Sequence, residues 1–547
     1  MNDVAALVAD NLDIWTGAIE RKSGAGRGGG SKRISLYGIE RLRALILDLA
    51  VRGKLVPQDA ADEPAHKLLP GIEKERQRRL EAKEIKNSKG PAKPSSEPFE
   101  LPSGWVWLPL WQTGNIFTGN SINAAVRSEL AANSMGWPFV ATKDVGYGFE
   151  PIDYDNGLIV DFDDQRFNIA KPNSVFICAE GGSAGRKIAV SDRAIAFGNK
   201  LFANEPWPQI NPRYVLCTYL SDFFFECFSR EMTGIIGGIS RAKFLALPFP
   251  LPPVEEQRRI VAKVDELMAL CDELERESAD ALAAHQVLVG SLLATLVAST
   301  DAADLADNWL RLEEHFDTLM VDEESLSAFK AALIELALAG TLTSGGFGSY
   351  IKKPLSKLLT FGPKNGFSPR SVDIDTGIRS LSLSATTKGI FDGSHYKYVD
   401  IERPKADSEL WLKRGDILVQ RANSIDYVGV AALYEEEDNK FIYPDLMMKL
   451  RFSESVTPKF AALCLNSNPV REYLRSKASG TSGSMPKINQ ATLLGAEIPV
   501  PPVAEQHRIV AKVDELMALC DALKARLSDA AETRRHLADA IVERAAA

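Results

Sequence analysis

Apolar residues fall alternately four and three apart at Ile260, Val264, Leu267, Cys271 and Leu274, and the spacing continues through Ser278, Ala281, His285, Leu288 and Leu292. It returns at Ile509, Val513, Leu516, Cys520, Leu523, Leu527, Ala530, Arg534, Leu537 and Ile541. That alternation is a heptad seam, and a seam needs a partner helix to cover it. The stretch Arg259-Ile-Val-Ala-Lys-Val-Asp-Glu-Leu-Met-Ala-Leu-Cys-Asp272 recurs letter for letter as Arg508 to Asp521, 249 positions later. The flanks Pro250-Leu-Pro-Pro-Val-Glu-Glu-Gln257 and Pro499-Val-Pro-Pro-Val-Ala-Glu-Gln506 repeat as well. The chain is a duplication, and each copy supplies the other's obvious partner. Pro253 and Pro502 mark the two helix starts, where a missing N–H costs nothing. A helix of about 40 residues spans about 60 Å, longer than a small domain is wide. An antiparallel pair is therefore expected; the alternative is an amphipathic helix packed on its own domain.

The remaining pattern also comes twice. Residues 1–20 read as weakly helical. Ser35 to Arg52 reads as a helix with Leu36, Ile39, Leu42, Ile46, Leu49 and Ala50 on one face, closed by Gly53. Its echo is Lys330-Ala-Ala-Leu-Ile-Glu-Leu-Ala-Leu-Ala-Gly-Thr-Leu342, aligned with Arg43 to Leu55. Ile72 to Lys86 reads as a charged helix, and Ser88 to Pro98 as a linker. Between the repeated helices lie two unlike stretches of short strands and Gly turns. In the first, strands are expected at Trp137–Val140, Ser174–Cys178, Lys187–Val190 and Ala194–Phe197, with a helix near Tyr214 to Arg230. In the second they are expected at Lys357–Phe361, Ile378–Ser382, Asp416–Gln420 and Gly429–Tyr434, with a helix from Pro458 to Lys477. Each ends in a Gly/Ser-rich loop and a short helix. Asp301 to Glu324 is acidic and reads as an exposed connector.

Composition is that of a globular protein, and the six scattered cysteines form no CxxC, so neither zinc site nor disulfide framework is indicated. The N-terminus has no signal-peptide pattern. The longest apolar run, near Val287 to Val297, is too short to span a bilayer, so no membrane partner and a cytoplasmic location are expected. A net charge of −9 argues against gripping nucleic acid by charge alone. The charge is uneven: residues 350–500 hold 21 Lys and Arg against 17 Asp and Glu, and residues 100–250 hold 12 against 15.

Catalytic motifs do not emerge. Asn211-Pro-Arg-Tyr214 lacks the second proline of the amino-methyltransferase motif, and Glu180-Gly-Gly-Ser-Ala-Gly185 lacks dinucleotide spacing. The glycine-rich run Ser23 to Ser31 reads as a linker, and His285 as a seam histidine rather than a metal ligand. What remains are loops of side chains suited to base edges and phosphates. In the first variable stretch the candidates are Thr118, Asn120, Lys143, Tyr147, Ser183, Arg186, Lys187, Asn199, Lys200, Arg241 and Lys243. In the second they are Lys364, Asn365, Lys388, Arg421, Asn423, Ser424, Tyr427, Ser484, Lys487 and Asn489.

The chain resembles the specificity subunits of type I restriction-modification systems. The likeness is carried by Ser35-Leu-Tyr-Gly-Ile39 with Leu49-Ala-Val-Arg-Gly-Lys-Leu-Val-Pro57, by Leu101-Pro-Ser-Gly-Trp105, and by Gly415-Asp-Ile-Leu-Val-Gln-Arg-Ala-Asn-Ser424. Both proline-led helix openings belong to it. The first stretch departs from the Gly-Asp-Ile-Leu pattern, with Pro172-Asn-Ser-Val-Phe176. The resemblance implies an α+β fold with two mixed α/β target recognition domains and a pseudo-twofold internal repeat. Two long helices join the domains and pair as an antiparallel coiled coil. The expected division is 1–98 helical with linkers, 99–251 first recognition domain, 252–345 central helical region, 346–500 second recognition domain, and 501–547 C-terminal helix. It implies double-stranded DNA as ligand, each domain reading half of a bipartite asymmetric site. The helices would set the spacer and dock two modification subunits, with restriction subunits joining. It further implies no catalytic residue, metal or cofactor here, with S-adenosylmethionine, ATP and Mg on partners. A self-contained methyltransferase and a coiled-coil adaptor are the competing readings.

Overall fold

The structure, a computed structural model, describes residues 4–22, 33–86, 90–234, 237–343, 350–480 and 485–546. The run Ser23 to Ser31 and the candidate Ser484 lie outside the described residues. Four helices carry the repeat: α1 (Tyr37–Val51), α2 (Val254–Val297), α3 (Glu323–Leu338) and α4 (Val503–Ala546). The chain divides into two compact units. Unit 1 holds residues 1–20, 35–278 and 533–547, and unit 2 holds 21–34 and 279–532.

In unit 1, strands β1 (Gly114–Thr118), β2 (Val175–Cys178), β3 (Ile188–Val190) and β4 (Leu201–Pro206) form an antiparallel sheet in the order β1-β4-β2-β3. Unit 2 repeats it with β5 (Leu359–Asn365), β6 (Ile417–Gln420), β7 (Ala431–Leu433) and β8 (Met447–Phe452), ordered β5-β8-β6-β7. A second four-stranded sheet in each unit contains one parallel pair, Trp137–Val140 with Ile195–Phe197 and Arg379–Leu381 with Phe441–Ile442. Strand β2, and β6 from Ile417 to Val419, are apolar because both faces are covered. Val175 and Ile177 pack into the helical core, while Phe176 and Cys178 pack into a separate core that also holds Ile195 and Phe197. Ile417 and Val419 likewise oppose Leu418. Asn173 (φ 68°) and Gly415 (φ 93°) precede these strands in the same left-handed turn, which fixes the alignment of the two sheets.

The frame matches by position. Arg43 on α1 pairs with Asp272 on α2 at 2.5 Å, and Lys330 on α3 pairs with Asp521 on α4. Buried Gln257 accepts the Asn211 N–H (2.8 Å) and donates to Pro252 O (3.1 Å). Buried Gln506 accepts the Thr457 N–H (2.8 Å) and donates to Pro501 O (2.9 Å). Each repeated glutamine thus ties a long helix to the start of the helix that begins at Pro212 or Pro458.

The structure changes four expectations. The seam holds through Leu274 on α2, but beyond it Val289, Leu293 and Leu296 are buried while Leu288 is 51% exposed. On α4, Ala538 and Val542 are buried while Leu537 is 46% exposed. A straight helix drifts about 20° per heptad, so four heptads move the buried stripe by nearly one residue. The first half of each seam also packs into its own unit's core. Ile260 to Cys271 share a core with α1 and with Ala538 and Val542 of α4. Val289 to Leu296 share one with α3 and with Leu516, Cys520 and Leu527 of α4. The start of α2 thus meets the end of α4, and its end meets the middle of α4: the pairing is antiparallel.

Second, each reader helix is two helices. Pro212–Leu220 and Asp222–Glu231 break at Ser221, and Pro458–Asn466 and Asn468–Ser476 break at Ser467. Each serine hydroxyl takes a carbonyl of the preceding turn, Thr218 O and Cys464 O, both at 2.7 Å. Third, the acidic connector is helical over Ala302–Glu314, with Leu312, Leu319 and Met320 buried in the core of α3. Fourth, β1, β4 and β8 lie outside the expected strands; buried polar residues interrupt the apolar pattern of β4 and β8. Asn204 donates its amide to Thr113 Oγ1 (2.9 Å) and the Tyr219 hydroxyl (3.0 Å), and Lys449 donates to Glu409 O (2.6 Å) and Trp411 O (2.8 Å). Among the described residues α2 is the one helix long and apolar enough, by length and composition, to cross a membrane; in this structure Ile260, Val264, Leu267, Val289, Leu293 and Leu296 serve the two cores, while Val287 and Leu288 are exposed.

Candidate nucleic-acid interface

Four segments converge at one end of each main sheet. In unit 1 the Asn120 N–H donates to Phe197 O (2.8 Å), and Asn199 N–H donates back to Asn120 O (3.2 Å). Ala179 N–H donates to Lys200 O (2.8 Å), and Ile239 N–H to Ala179 O (3.0 Å). This brings together the end of β1 with Thr118 and Asn120, the start of β4 with Asn199 and Lys200, the loop after β2, and the Gly-rich loop before a short helix. Asn199 and Lys200 are exposed. Asn120 is committed to the fold, donating to Arg166 O (2.7 Å) and accepting from Asn168 N–H (2.8 Å).

In unit 2, Arg421 N–H donates to Leu446 O (2.8 Å), Ile488 N–H to Arg421 O (2.9 Å), and Phe367 N–H to Tyr443 O (2.9 Å). The same four segments therefore meet, carrying Lys364, Asn365, Arg421, Asn423, Ser424, Lys487 and Asn489. Some of these are occupied locally. Asn423 donates to Gln420 Oε1 (2.6 Å), Asn489 caps a helix by accepting Thr492 N–H (2.7 Å), and Lys364 ion-pairs with Glu409. Arg421 is half-buried and Lys487 exposed.

Behind this end, Lys449 lies between the rings of Phe361 (5.1 Å) and Tyr443 (5.2 Å), with Asp416 at 3.8 Å. Burial pulls its ammonium down to about 8, against the opposing pull of Asp416. Asp416, fully buried, also takes Arg451 Nε at 2.8 Å.

The other candidates lie on the flank facing the frame helices. Lys187 donates to Thr142 O (3.2 Å) and Lys143 O (3.3 Å) and sits over the Tyr147 ring at 5.2 Å. The Tyr147 hydroxyl is 3.4 Å from Ser183 Oγ, and Lys143 pairs with Asp144 at 3.3 Å. Tyr147 and Arg186 line a groove of about 990 Å³ with Arg43, Leu47 and Met268. Lys388 and Tyr427 line its counterpart of about 810 Å³ in unit 2, with Ile334 and Met517. Two candidates are bonded to the fold from its surface: Arg241 donates to Ile116 O (2.7 Å), and Lys243 pairs with Glu231 (3.1 Å). A search for hydrogen-bonding types passes over Phe367, Ile425 and Met485, which are 48%, 48% and 46% exposed in the unit 2 loops. Their signal is an apolar residue inside an otherwise polar loop.

All six cysteines are buried, and burial pushes the Cys217 thiol up to about 12. Among the described residues no group of three or more His, Cys, Asp or Glu is placed to hold a metal ion.

The architecture, two like frames carrying unlike loop-bearing sheets, is that of a two-part reader. The family model for the type I restriction modification DNA specificity domain matches residues 102–284 and 396–533, more than half of the chain. The chain is 31% identical to the type I restriction enzyme EcoEI specificity subunit and 30% to the EcoAI specificity subunit, both of Escherichia coli, over 99% of each chain. A chain of a type I R-M system, solved in a study of its complex assembly and conformational transition, matches in fold with a TM-score of 0.52. It is 18% identical and the match covers 82% of this chain and 99% of that one. The chain belongs to the type I restriction-modification DNA specificity family. Its part is that of a non-catalytic DNA specificity subunit.

Proposed function

We propose that each unit reads one half of a bipartite, asymmetric double-stranded DNA site through the loops at the converging end of its main sheet. The observation that carries this is the repeated convergence itself: the same four segments meet in both units, on a frame matched residue for residue, with different side chains exposed. Like frames with unlike loops produce two half-sites of different sequence. The long helices are read as the spacer and as the docking surface for two modification subunits, the duplicated grooves beside Met268 and Met517 being the equivalent places on them. Restriction subunits join that complex. S-adenosylmethionine, ATP and Mg are assigned to the partners, and the complex to the cytoplasm. The test is to replace residues 105–245 with the reader of another specificity subunit, in a complex with modification subunits, and to sequence the methylome. One half-site is expected to change and the other to stay. A hybrid that changes both halves, or modifies without sequence preference, overturns the assignment.

A further inference from the structure

At the converging end of unit 1 the exposed residues among those described include Glu180, Gly182, Asn199, Lys200, Thr233 and Ser240. In unit 2, Phe367, Ile425 and Met485 stand about half exposed beside Arg421 and Lys487. The backbone brings them to one place. Phe367 is bonded to Tyr443 O, Arg421 to Leu446 O, and Asn423 N–H to Pro486 O at 3.3 Å, next to Met485. Apolar side chains held in water on polar loops cost free energy unless a partner covers them. A DNA groove with phosphates on either side fits the flanking cations, and the one apolar group on its base edges is the thymine methyl.

We infer that unit 2 reads its half-site partly through thymine methyl groups packed against Phe367, Ile425 and Met485. This rests on the DNA-reading assignment above. The test uses the complex with its modification subunits and its methylome-defined target, with deoxyuridine replacing thymine in one half-site at a time. Substitution in the half-site read by unit 2 is expected to weaken binding about fourfold per contacted methyl, the worth of one buried CH₂. I425A, F367A and M485A, all at exposed positions, should weaken the thymine target and abolish the deoxyuridine effect at the matching base. A complex that binds its target specifically but ignores deoxyuridine in that half-site overturns the inference and leaves the DNA-reading assignment standing. So does a half-site without thymine on either strand, or variants that lose modification subunits while binding DNA as before. A complex with no sequence preference instead overturns the underlying assignment.

Discussion

Units 1 and 2 share a frame and differ at its centre. The register of the main sheets places Ala203 of β4 where β8 has Lys449, and Ser174 ahead of β2 where β6 is preceded by Asp416. Around Ala203 the space is filled by rings: Phe197 meets Phe117 at 5.4 Å and Phe176 at 5.1 Å, edge to face. Around Lys449 it is filled by a charge, its counter-ion and two backbone acceptors. Both solutions close the same sheet. The aromatic core is stabilised by burial, whereas the ionic one depends on every partner being present. A second contrast lies where α1 and α3 meet the reader helices. Asp48 accepts the Phe223 N–H at 3.2 Å beside Asp222; at the same place in unit 2, Asn468 donates to Glu335 at 2.9 Å. What the duplication preserves is the tie between helix and reader, and what it leaves free is the reader's interior and its loops.

The largest expected effect breaks the comparison outright: exchanging the reader of unit 1 should replace one half-site entirely and leave the other, as methylome sequencing will show. Next, D416A should leave buried Lys449 without its counter-ion and destabilise unit 2 by about 4 kcal/mol. S174A, at the matching position of unit 1, should cost about 1 kcal/mol; equal losses in denaturant titrations would show that the two centres are not different in kind. Third, L267A on α2 empties a buried site and should cost about 3 kcal/mol, whereas L516A at the half-buried counterpart should cost about 1 kcal/mol. Calorimetry on the two variants checks the ratio.

The smallest effect is pH-dependent. Burial, aided by the neighbouring Asp222 and Glu226 and opposed by Phe223 N–H and Arg52, raises the Asp48 carboxyl to about 6. A raised carboxyl favours the protonated folded state. That contribution is fully present below about 3.8 and is lost as pH rises through about 6. D48N should therefore stabilise unit 1 by about 2 kcal/mol at pH 7.5 and not at pH 3.5. E335Q in unit 2 swaps one acceptor for another and should shift stability by less than about 1 kcal/mol. A D48N gain over the unsubstituted protein that is equal at pH 7.5 and pH 3.5 would remove this contrast.

The periodic and punctuated parts of the chain were legible. The α1 face was read from its spacing, and Ile39, Leu42, Ile46 and Ala50 are fully buried. Strands such as Trp137–Val140 and Ile417–Gln420 were legible because a strand covered on both faces is an apolar run bounded by turn residues. The break at Ser221 was not, because the flanking residues keep a helical pattern and only the serine–backbone bond shows the stop; the one at Ser467 has its signal in Asn468-Pro469, at the start of the second helix. Candidate site residues were legible by type, but not by use. Asn120 and Arg241 have the same chemistry as any base-reading side chain, and only the fold shows them bonded to Arg166 O and Ile116 O.

By itself the sequence determined the duplication, the long helices and the place of two unlike readers between them, because repeats and periodicity are properties of order along the chain. Tertiary structure alone decided which loops meet. Thr118, Asn199, the loop after Cys178 and the loop before Arg241 are far apart in sequence, and strand order β1-β4-β2-β3 brings them to one end of a sheet. It also decided that the buried stripe of α2 moves from Leu288 to Val289, since a straight helix of 3.6 residues per turn does not keep a 3.5-residue repeat on one face.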